Sequence, residues 1–412
     1  MNVPPARKLA ANVVFVAPFP LETTMRFVRA VAGLENVRLL GVGQEFRAED
    51  RGLFADIVTV ADGLETRQLL EATRILETKH GKIHRLIGIL EPLQTQLAEV
   101  RKAMGISGTS PETSEMFRDK ARMKDELRRH GLPCARHRLI RQWSDAEGFV
   151  KEVGLPLVLK PPAGMGCKST WRINTIDELR AALVALHASP ERPALAEEFL
   201  RGREYSFESI TIGGKVLFQS ASRYFPTPLE VMETPWVKWV VVLPRTIATP
   251  EFEDARVLAV KTVEALGLET GMTHMEWFRR DDGSLAIGEI AARPPGANIV
   301  RMNSFAHDVD MYRAWARAVV DDAFDGPYER KYAVGCAFLR GYGRGRVVDV
   351  RGVDLANERM GSCVVESKIP VKGTPKSDSY EGDGYVIVRD PDTEVVKKAM
   401  NIVIETIQVE YA

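Results

Sequence analysis

Short apolar runs rich in β-branched residues alternate with amphipathic stretches through the first quarter of the chain. The runs cover residues 13–16, 37–42, 57–60 and 86–90, and helical periodicity lies at residues 22–32 and 64–80. This alternation predicts a small parallel sheet with crossover helices. The first run leads into Ala17-Pro18 rather than a glycine fingerprint, which argues against dinucleotide binding in this region.

A second pattern follows a connection rich in glycine, serine, threonine and proline at residues 105–111. It predicts one helix at residues 112–130, closed by Gly131, and another that begins at the capping box of Thr175 and Glu178. The predicted strands cover residues 138–140, 157–160, 194–200, 205–212 and 215–222.

The last part of the chain predicts an amphipathic helix at residues 309–320, then a strand-rich region from residue 331 that closes with a helix at 393–407. Residues 321–330, where Asp, Gly and Pro cluster, form a second linker candidate. The pattern therefore predicts an α/β (α+β) protein in three parts, residues 1–107, 108–330 and 331–412.

Composition narrows the partners of this chain. Its 412 residues are 45% apolar and 27% charged, and 56 basic residues balance 56 acidic ones. No global field then attracts nucleic acid or an anionic membrane, so a nucleotide would have to be held locally. The N-terminal apolar run ends at Pro18, too short for an export signal or a span, which predicts a cytoplasmic protein. The four cysteines contain no Cys-x-x-Cys pair and predict neither a zinc site nor a disulfide framework.

Two acidic residues, Glu276 and Glu289, lie on apolar runs that flank a turn centred on Asp282-Gly283. A two-residue loop at that dipeptide, or a symmetric four-residue loop, places Glu276 directly opposite Glu289. Opposed Cβ atoms lie about 5 Å apart, where two full charges repel by roughly 3 kcal/mol at an effective dielectric near 20. A hard divalent cation such as Mg²⁺ removes this repulsion. The alternative interpretation is a solvated acidic hairpin.

A glycine-rich loop at residues 160–170 joins one predicted strand to another. It lacks both the spacing and the following helix of a Walker loop, yet its glycines let backbone N–H groups approach an anion. Lys160 ends an apolar strand, where a buried lysine needs an anionic partner. The alternatives are an ordinary surface turn for the loop and a solvated helix face for Lys120.

In their order and spacing, several segments of the chain resemble the ATP-grasp superfamily. These are Asp119-Lys120, Leu157-Val158-Leu159-Lys160-Pro161 with its glycine loop, Glu197 to Glu204, Glu276, and Glu289-Ile290-Ala291-Ala292-Arg293. The chain is most similar to carboxylate–amine ligases, particularly L-amino acid ligases, and more distantly to biotin carboxylase and carbamoyl phosphate synthetase. The resemblance implies an ATP-grasp fold with an N-terminal parallel α/β domain and a C-terminal strand-rich domain.

The resemblance also implies a nucleotide site. Two lysines would contact the ATP phosphates, the glycine loop would close over them, a hinge would lie along the adenine, and a carboxylate would take the ribose hydroxyls. The residues concerned are Lys120, Lys160, Gly164, Gly166, Lys168, Ser169, Glu197, Glu198, Phe199, Leu200 and Glu204.

Metal and catalytic roles are implied for a second group. Glu276 and Glu289 would hold Mg²⁺, with Mn²⁺ as an alternative, between the ATP phosphates. Lys160 and Arg293 would be catalytic, and Arg293 would stabilise an acyl phosphate through its planar fork of donors.

One departure from the family pattern concerns the metal. The family usually has Asn two residues after the second metal-binding Glu, and this chain has Ala291. We expect water, His274 or Asn298 to fill that position, with a packed strand histidine as the alternative for His274. The substrate candidates are Arg293, Arg301, His274 and Asn298, although Arg301 has the alternative of an ordinary surface residue.

The resemblance predicts an ATP-dependent ligase that joins a small carboxylate to an amine through an acyl phosphate and releases ADP and phosphate. Amino acids are the expected substrates, and a homodimer is a further expectation. Two alternatives stay open. One is a carboxylating or carbamoyl-forming relative that activates bicarbonate, and the other is an ATP-binding module that has lost catalysis, which Ala291 motivates.

Overall fold

The first region of the computed structural model, which describes residues 11–164, 166, 169–234 and 236–412, is a parallel sheet with helices on both sides. Its strands are β1 (Ala11–Val16), β2 (Val37–Gly43), β3 (Asp56–Thr59) and β4 (Ile83–Ile87), in the order β3-β2-β1-β4. Its helices are α1 (Glu22–Ala32), α2 (Ala48–Arg51), α3 (Thr66–His80) and α4 (Gln94–Met104), with a 3₁₀ turn at Glu91–Leu93. This confirms the predicted parallel sheet.

Two helices, α5 (Pro111–Arg118) and α6 (Lys120–Arg129), follow where one was predicted. The chain breaks at Asp119, whose backbone is extended and whose carboxylate accepts the N–H groups of Ala121 and Arg122. Because an Asp in this conformation is a strong N-cap, it starts a new helix instead of continuing the old one. The prediction of a single helix at residues 112–130 is therefore wrong, and the break places Lys120 in the first turn of α6.

A small antiparallel sheet forms the next lobe. Its strands are β5 (His137–Ile140), β6 (Leu157–Lys160), β7 (Trp171–Ile173) and β8 (Ala194–Glu198), in the order β5-β8-β6-β7, covered by α7 (Trp143–Val153) and α8 (Ile176–Ala185). Leu157 pairs with Ile173, so the glycine-rich loop connects two neighbouring antiparallel strands, as predicted. Lys160 lies at the end of β6, beside β8.

An eight-stranded sheet forms the centre of the molecule. Its strands are β9 (Gly202–Ile212), β10 (Lys215–Phe225), β11 (Trp239–Leu243), β12 (Gly271–Arg280), β13 (Leu285–Ala291), β14 (Ala333–Leu339), β16 (Val364–Lys368) and β17 (Gly384–Asp390). Their order is β13-β12-β9-β10-β11-β14-β17-β16, and β15 (Val347–Arg351) pairs with β18 (Gln408–Tyr411) separately. The sheet continues across residue 331, and the division into three domains stays a prediction.

Six further helices cover this sheet. They are α9 (Pro228–Glu233), α10 (Pro250–Leu266), α11 (Ile299–His307), α12 (Met311–Asp321), α13 (Val353–Met360) and α14 (Thr393–Thr406), with a 3₁₀ turn at Gly361–Cys363. One sheet face packs on α10 through a buried aromatic group in which Tyr205 stacks on Trp277 at 4.4 Å between ring centroids. Since side chains alternate along a strand, Glu276 points to the opposite face. In the part of the chain that the structure describes, no helix is both long and apolar enough to cross a membrane.

Candidate functional site

The paired carboxylates lie where the sequence predicts them, although the hairpin reaches that register differently. Glu276 is opposite Glu289, but Trp277 is opposite Ile287, so a bulge at Gly288 shifts the pairing by one residue. The turn is a three-residue loop, because the Arg280 N–H bonds to the Ser284 carbonyl at 2.8 Å. Both predicted turns, the two-residue loop and the symmetric four-residue loop, are therefore wrong. The bulge offsets the longer loop and restores the Glu276–Glu289 register.

Two predicted lysines lie against this hairpin. Lys160 Nζ is 3.3 Å from Glu289 Oε2 and 3.0 Å from Glu197 Oε2, while Lys120 Nζ is 3.6 Å from Glu289 Oε2. Burial disfavours the charged carboxylate of Glu289, but the two lysines outweigh it and hold the pKa of Glu289 well below its usual range. Burial alone would lower the pKa of Lys160, but the carboxylates of Glu197 and Glu289 outweigh it and raise that pKa. Glu289 and Lys160 therefore keep their charges.

A third lysine, Lys124, has the deepest position in this cluster and was not predicted. Its side chain is fully buried, and its Nζ lies 2.7 Å from Glu197 Oε1 and donates to the Gly288 carbonyl at 2.6 Å. Burial lowers the pKa of Lys124. Burial alone would raise the pKa of Glu197. The charges of Lys124 and Lys160 outweigh burial and bring the pKa of Glu197 to about 2. The side chain of Glu197 thus binds lysines, and an adenine contact would have to come from its backbone.

An acid from the first region, Glu91, also reaches the site and was not predicted. Its Oε1 lies 3.0 Å from Arg118 Nη1, and its Oε2 lies 3.2 Å from Arg293 Nη2. Lys120 Nζ is 3.9 Å from Oε1. Glu91 is 5% exposed, so these contacts are made away from water. The predicted catalytic arginine is therefore held by an acid of the N-terminal sheet region.

His274 lies opposite Ala291, as the hairpin register predicts. Its Nδ1 is 3.0 Å from Glu208 Oε1, and its Nε2 is 3.7 Å from Glu276 Oε1. Burial acts against the charged ring, but hydrogen bonds to Glu208 and Glu276 raise the pKa of His274 to about 9. An imidazolium in this position connects the metal-binding candidate Glu276 to the buried Glu208.

Most of these residues line one cavity of about 410 Å³, and Lys124, Glu91 and Glu208 are not part of its lining. Its lining contains the following predicted site residues: Lys120, Lys160, Gly164, Gly166, Glu197, Glu198, Phe199, Leu200, Glu204, His274, Glu276, Glu289 and Arg293. At the predicted adenine segment, the Arg172 guanidinium lies 4.5 Å from the centre of the Phe199 ring. The Glu198 carboxylate is bound by Arg136 and Arg280 at 3.0 Å.

Three predicted residues that the structure describes are not part of this lining. Arg301 lies in a separate shallow groove, where it donates to Glu366 at 2.7 Å. Asn298 is the N-cap residue of α11, and its side chain forms a hydrogen bond with the Cys336 thiol. Ser169 adopts a φ of 55° in the glycine loop. Lys168 lies outside the described residues. The substrate roles of Arg301 and Asn298 stay predictions.

The carboxylates fit a divalent cation. Burial, and after it the charges of Glu276 and Glu289, raise the pKa of Glu204 well above its ordinary value. Within the described ranges, no group of three or more His, Cys, Asp and Glu side chains is arranged as a metal site. The opposed pair Glu276 and Glu289 suits Mg²⁺, which binds through one or two carboxylates and takes its other ligands from phosphates and water.

The chain is similar to two curated ligases of Bacillus subtilis. The chain is 24% identical over 266 residues to the L-arginine-specific L-amino acid ligase of Bacillus subtilis, an alignment that covers 63% of each protein. It is 27% identical over 237 residues to an alanine–anticapsin ligase of Bacillus subtilis, covering 52% of this chain and 49% of the relative. The chain thus spans about half to two thirds of the length of these relatives.

Solved structures show the same fold. The L-amino acid ligase from Bacillus licheniformis superposes with a TM-score of 0.79 at 16% identity, covering 98% of this chain and 100% of that one. The expected ATP-grasp fold is therefore confirmed, and residues 125–304 of this chain match the ATP-grasp domain.

Proposed function

We propose that this protein is an ATP-dependent carboxylate–amine ligase. The observation that carries the proposal is the pair Glu276 and Glu289, opposed on one sheet face with Lys160 3.3 Å from Glu289, in the cavity that Arg293 also lines. The ligase names of the two curated relatives, on an ATP-grasp domain, support the same reaction class.

The chemistry follows from what each side chain can do. Lys120 and Lys160 place positive charge where a triphosphate would lie, and Glu276 and Glu289 would hold the metal. When bound, Mg²⁺ neutralises charge on the transferring phosphoryl group. Arg293 binds the substrate carboxylate oxygens that attack the γ-phosphorus, so that a mixed carboxylic–phosphoric anhydride forms and ADP leaves.

The second half of the reaction joins the substrates. An amine attacks the carbonyl carbon of the anhydride, the C–N bond forms, and inorganic phosphate leaves with the electrons of the C–O bond. Arg293 stabilises the charge that develops on the oxygens. The enzyme needs no covalent nucleophile for this sequence. The substrates are small molecules, with amino acids as the expected class, and a homodimer and a cytoplasmic location stay predictions.

Release of ADP tests the proposal. The protein is supplied with ATP, Mg²⁺ and amino acids singly and in pairs, and ADP is measured together with the amide product by mass spectrometry. We expect ADP release that needs both a carboxylate and an amine. Turnover that depends on bicarbonate would instead support a carboxylating relative, and nucleotide binding without turnover would support a non-catalytic module.

Two variants connect that activity to the carboxylate pair. Glu276→Gln and Glu289→Gln keep the side-chain shape and remove the charge that holds the metal, so each should raise the Mg²⁺ concentration for half-maximal activity by about tenfold or more. Direct titration of Mn²⁺ binding by paramagnetic resonance gives a readout that does not depend on turnover. Glu264→Gln, on the exposed side of α10, is the matched control.

A further inference from the structure

One end of the cavity, beyond Arg293, has an aromatic wall. Trp239 of β11 and Tyr380 of the loop before β17 line it, with ring centroids 4.8 Å apart at an angle of 84°. Tyr224 lies 5.4 Å from Trp239 on the other side. Ala297 and Ile299, from the segment after Arg293, complete the wall. We name these five residues the aromatic wall.

Tyr380 lies between the two parts of the site where the reacting groups would meet. A Cβ atom added to Gly166, in the glycine loop, would lie 3.7 Å from its ring. A Cβ atom added to Gly296, three residues after Arg293, would lie 3.8 Å from its hydroxyl. A carboxylate held by Arg293 beneath the glycine loop would therefore have this ring as a neighbour.

The polar groups around the wall already have partners. The Trp239 indole N–H donates to the Pro226 carbonyl at 3.1 Å, and the Tyr224 hydroxyl is 3.5 Å from His274 Nε2. The Glu230 carboxylate accepts the backbone N–H and the hydroxyl of Thr227. The Glu381 carboxylate beside the wall accepts the Ala297 backbone N–H at 3.0 Å. The lining of this end of the cavity is thus formed by ring faces and methyl groups.

A cation would need a different wall. Glu230 and Glu233 are acids of the cavity lining that could receive one, but the Glu230 carboxylate is bound to Thr227. Glu233 lies toward Arg172, on the nucleotide side, and burial raises its pKa. A charged side chain at the aromatic wall would lose its hydration without gaining an ion pair there, which is strongly unfavourable.

We propose that the aromatic wall binds an apolar side chain of the carboxylate substrate, of the size of leucine, methionine or phenylalanine. The inference rests on the proposed ligase function and names the substrate class that the site selects. Tyr380 is the specificity-determining residue, because the loop before β17 brings it to the reacting groups.

Hydroxylamine separates the two substrates in the test. As a fixed nucleophile it attacks the mixed anhydride and gives a hydroxamate, phosphate and ADP, so the carboxylate substrate alone varies. We expect kcat/KM for leucine, methionine and phenylalanine to exceed that for aspartate, lysine and arginine by about tenfold or more, as the transfer of apolar groups from water predicts. Equal or higher kcat/KM for arginine would overturn the proposal. Absence of hydroxamate with every carboxylate would instead count against the ligase function itself.

Two variants at Tyr380 test the wall directly. Tyr380→Ala removes the ring and should lower the ratio of kcat/KM for leucine to that for glycine by about tenfold. Tyr380→Phe keeps the ring and should leave that ratio within about twofold. A purely structural role would lower kcat/KM for all carboxylates by the same factor and change the KM for ATP. An unchanged leucine-to-glycine ratio in Tyr380→Ala would therefore overturn the proposal.

Discussion

Lys124 donates a hydrogen bond of 2.6 Å to the carbonyl of Gly288, the extra residue of the bulge between Glu276 and Glu289. The lysine is fully buried and also lies 2.7 Å from Glu197. One ammonium group therefore ties α6 to the bulge that sets the carboxylate register and to the strand that precedes the predicted adenine segment.

Replacing Lys124 by methionine should weaken both the fold and the site. Loss of one partner from a buried ion pair costs about 3–5 kcal/mol, and we expect about 3 kcal/mol because Lys160 still faces Glu197. Without the bond to Gly288 the bulge is less restrained, so the affinity for Mg²⁺–ATP should fall by about tenfold. Urea unfolding and titration calorimetry measure the two effects.

The exposed Lys151 of α7 provides the matched control, since Lys151→Met changes the same chemical group without a buried partner. It should leave both quantities unchanged within about 0.5 kcal/mol. Wild-type nucleotide affinity in Lys124→Met, at a temperature where the variant is folded, would contradict the role of Lys124 in positioning the carboxylates.

The glycine on the other side of this bond is also constrained. A Cβ atom at Gly288 would lie 3.2 Å from the Phe278 ring and 3.3 Å from the Glu276 carbonyl. We therefore expect Gly288→Ala to cost about 1–3 kcal/mol and to displace Glu276 from Glu289, with weaker Mn²⁺ binding. Thermal unfolding and paramagnetic titration measure these changes.

Gly52→Ala is the control for that substitution. Nothing lies within 4 Å of a Cβ atom at Gly52, and its φ of −65° suits alanine. It should be neutral or slightly stabilising. If Gly288→Ala bound Mn²⁺ as tightly as Gly52→Ala, the shape of the bulge would not determine metal binding.

The hairpin shows how far the sequence predicts this site. Apolar runs and an Asp-Gly turn are enough to place Glu276 opposite Glu289, and the structure confirms that pairing. The sequence predicts the wrong loop length and does not predict the bulge. Because the two features shift the register in opposite directions, the predicted pairing is still correct. A bulge depends on the tertiary contact of Lys124 with Gly288, which no local pattern contains.

The lysines of α6 carry a sequence signal for a buried ionic site. Lys120, Lys124 and Leu127 have the i, i+4, i+7 spacing of one helix face, and all three are buried. A lysine on the same face as a core leucine predicts an acidic partner. The partner itself was out of reach, because Glu197 and Glu91 lie on other strands and turns and meet α6 only in the folded chain.

Glu91 is far from Arg293 in sequence, but it binds Arg293 in the folded chain, so removal of the Glu91 charge should weaken the positioning of that arginine. Glu91→Gln keeps the shape but leaves Arg118 and Arg293 with a neutral acceptor, so we expect a loss of about 2 kcal/mol in the free energy of unfolding. If Arg293 stabilises the anhydride, kcat should fall by about tenfold or more, with a smaller change in the KM for ATP. Steady-state ADP release measures both constants.

Glu112→Gln is the surface counterpart of Glu91→Gln. The exposed Glu112 pairs with exposed Lys102 at 3.1 Å, and such surface pairs contribute little to stability because water and salt screen them. We expect wild-type kinetics for this control. Equal kcat values for Glu91→Gln and Glu112→Gln would contradict a link between Glu91 and the reacting groups.

Because His307 is buried, we expect the folded protein to lose stability at acidic pH. The ring is 4% exposed, it contacts the Asn303 carbonyl through Nδ1 at 2.8 Å, and burial lowers its pKa to about 4. Between that value and the unfolded pKa near 6.5, the unfolded chain binds the proton and the folded chain does not. The stability that comes from a neutral His307 is therefore complete at high pH and decreases as the pH falls through about 6.5 toward 4.

The size of this loss follows from the same two pKa values. From about pH 7.5 to about pH 5, protonation of the unfolded chain at this residue should lower the free energy of unfolding by about 2 kcal/mol. The glutamine of His307→Gln does not titrate, so the free energy of unfolding of this variant should fall by about 2 kcal/mol less than that of the wild type over the same pH range. His187→Asn changes an exposed histidine, and its free energy of unfolding should fall as much as that of the wild type. Urea unfolding of all three proteins at both pH values measures the difference. Parallel losses in the wild type and His307→Gln would show that other groups cause the acid sensitivity.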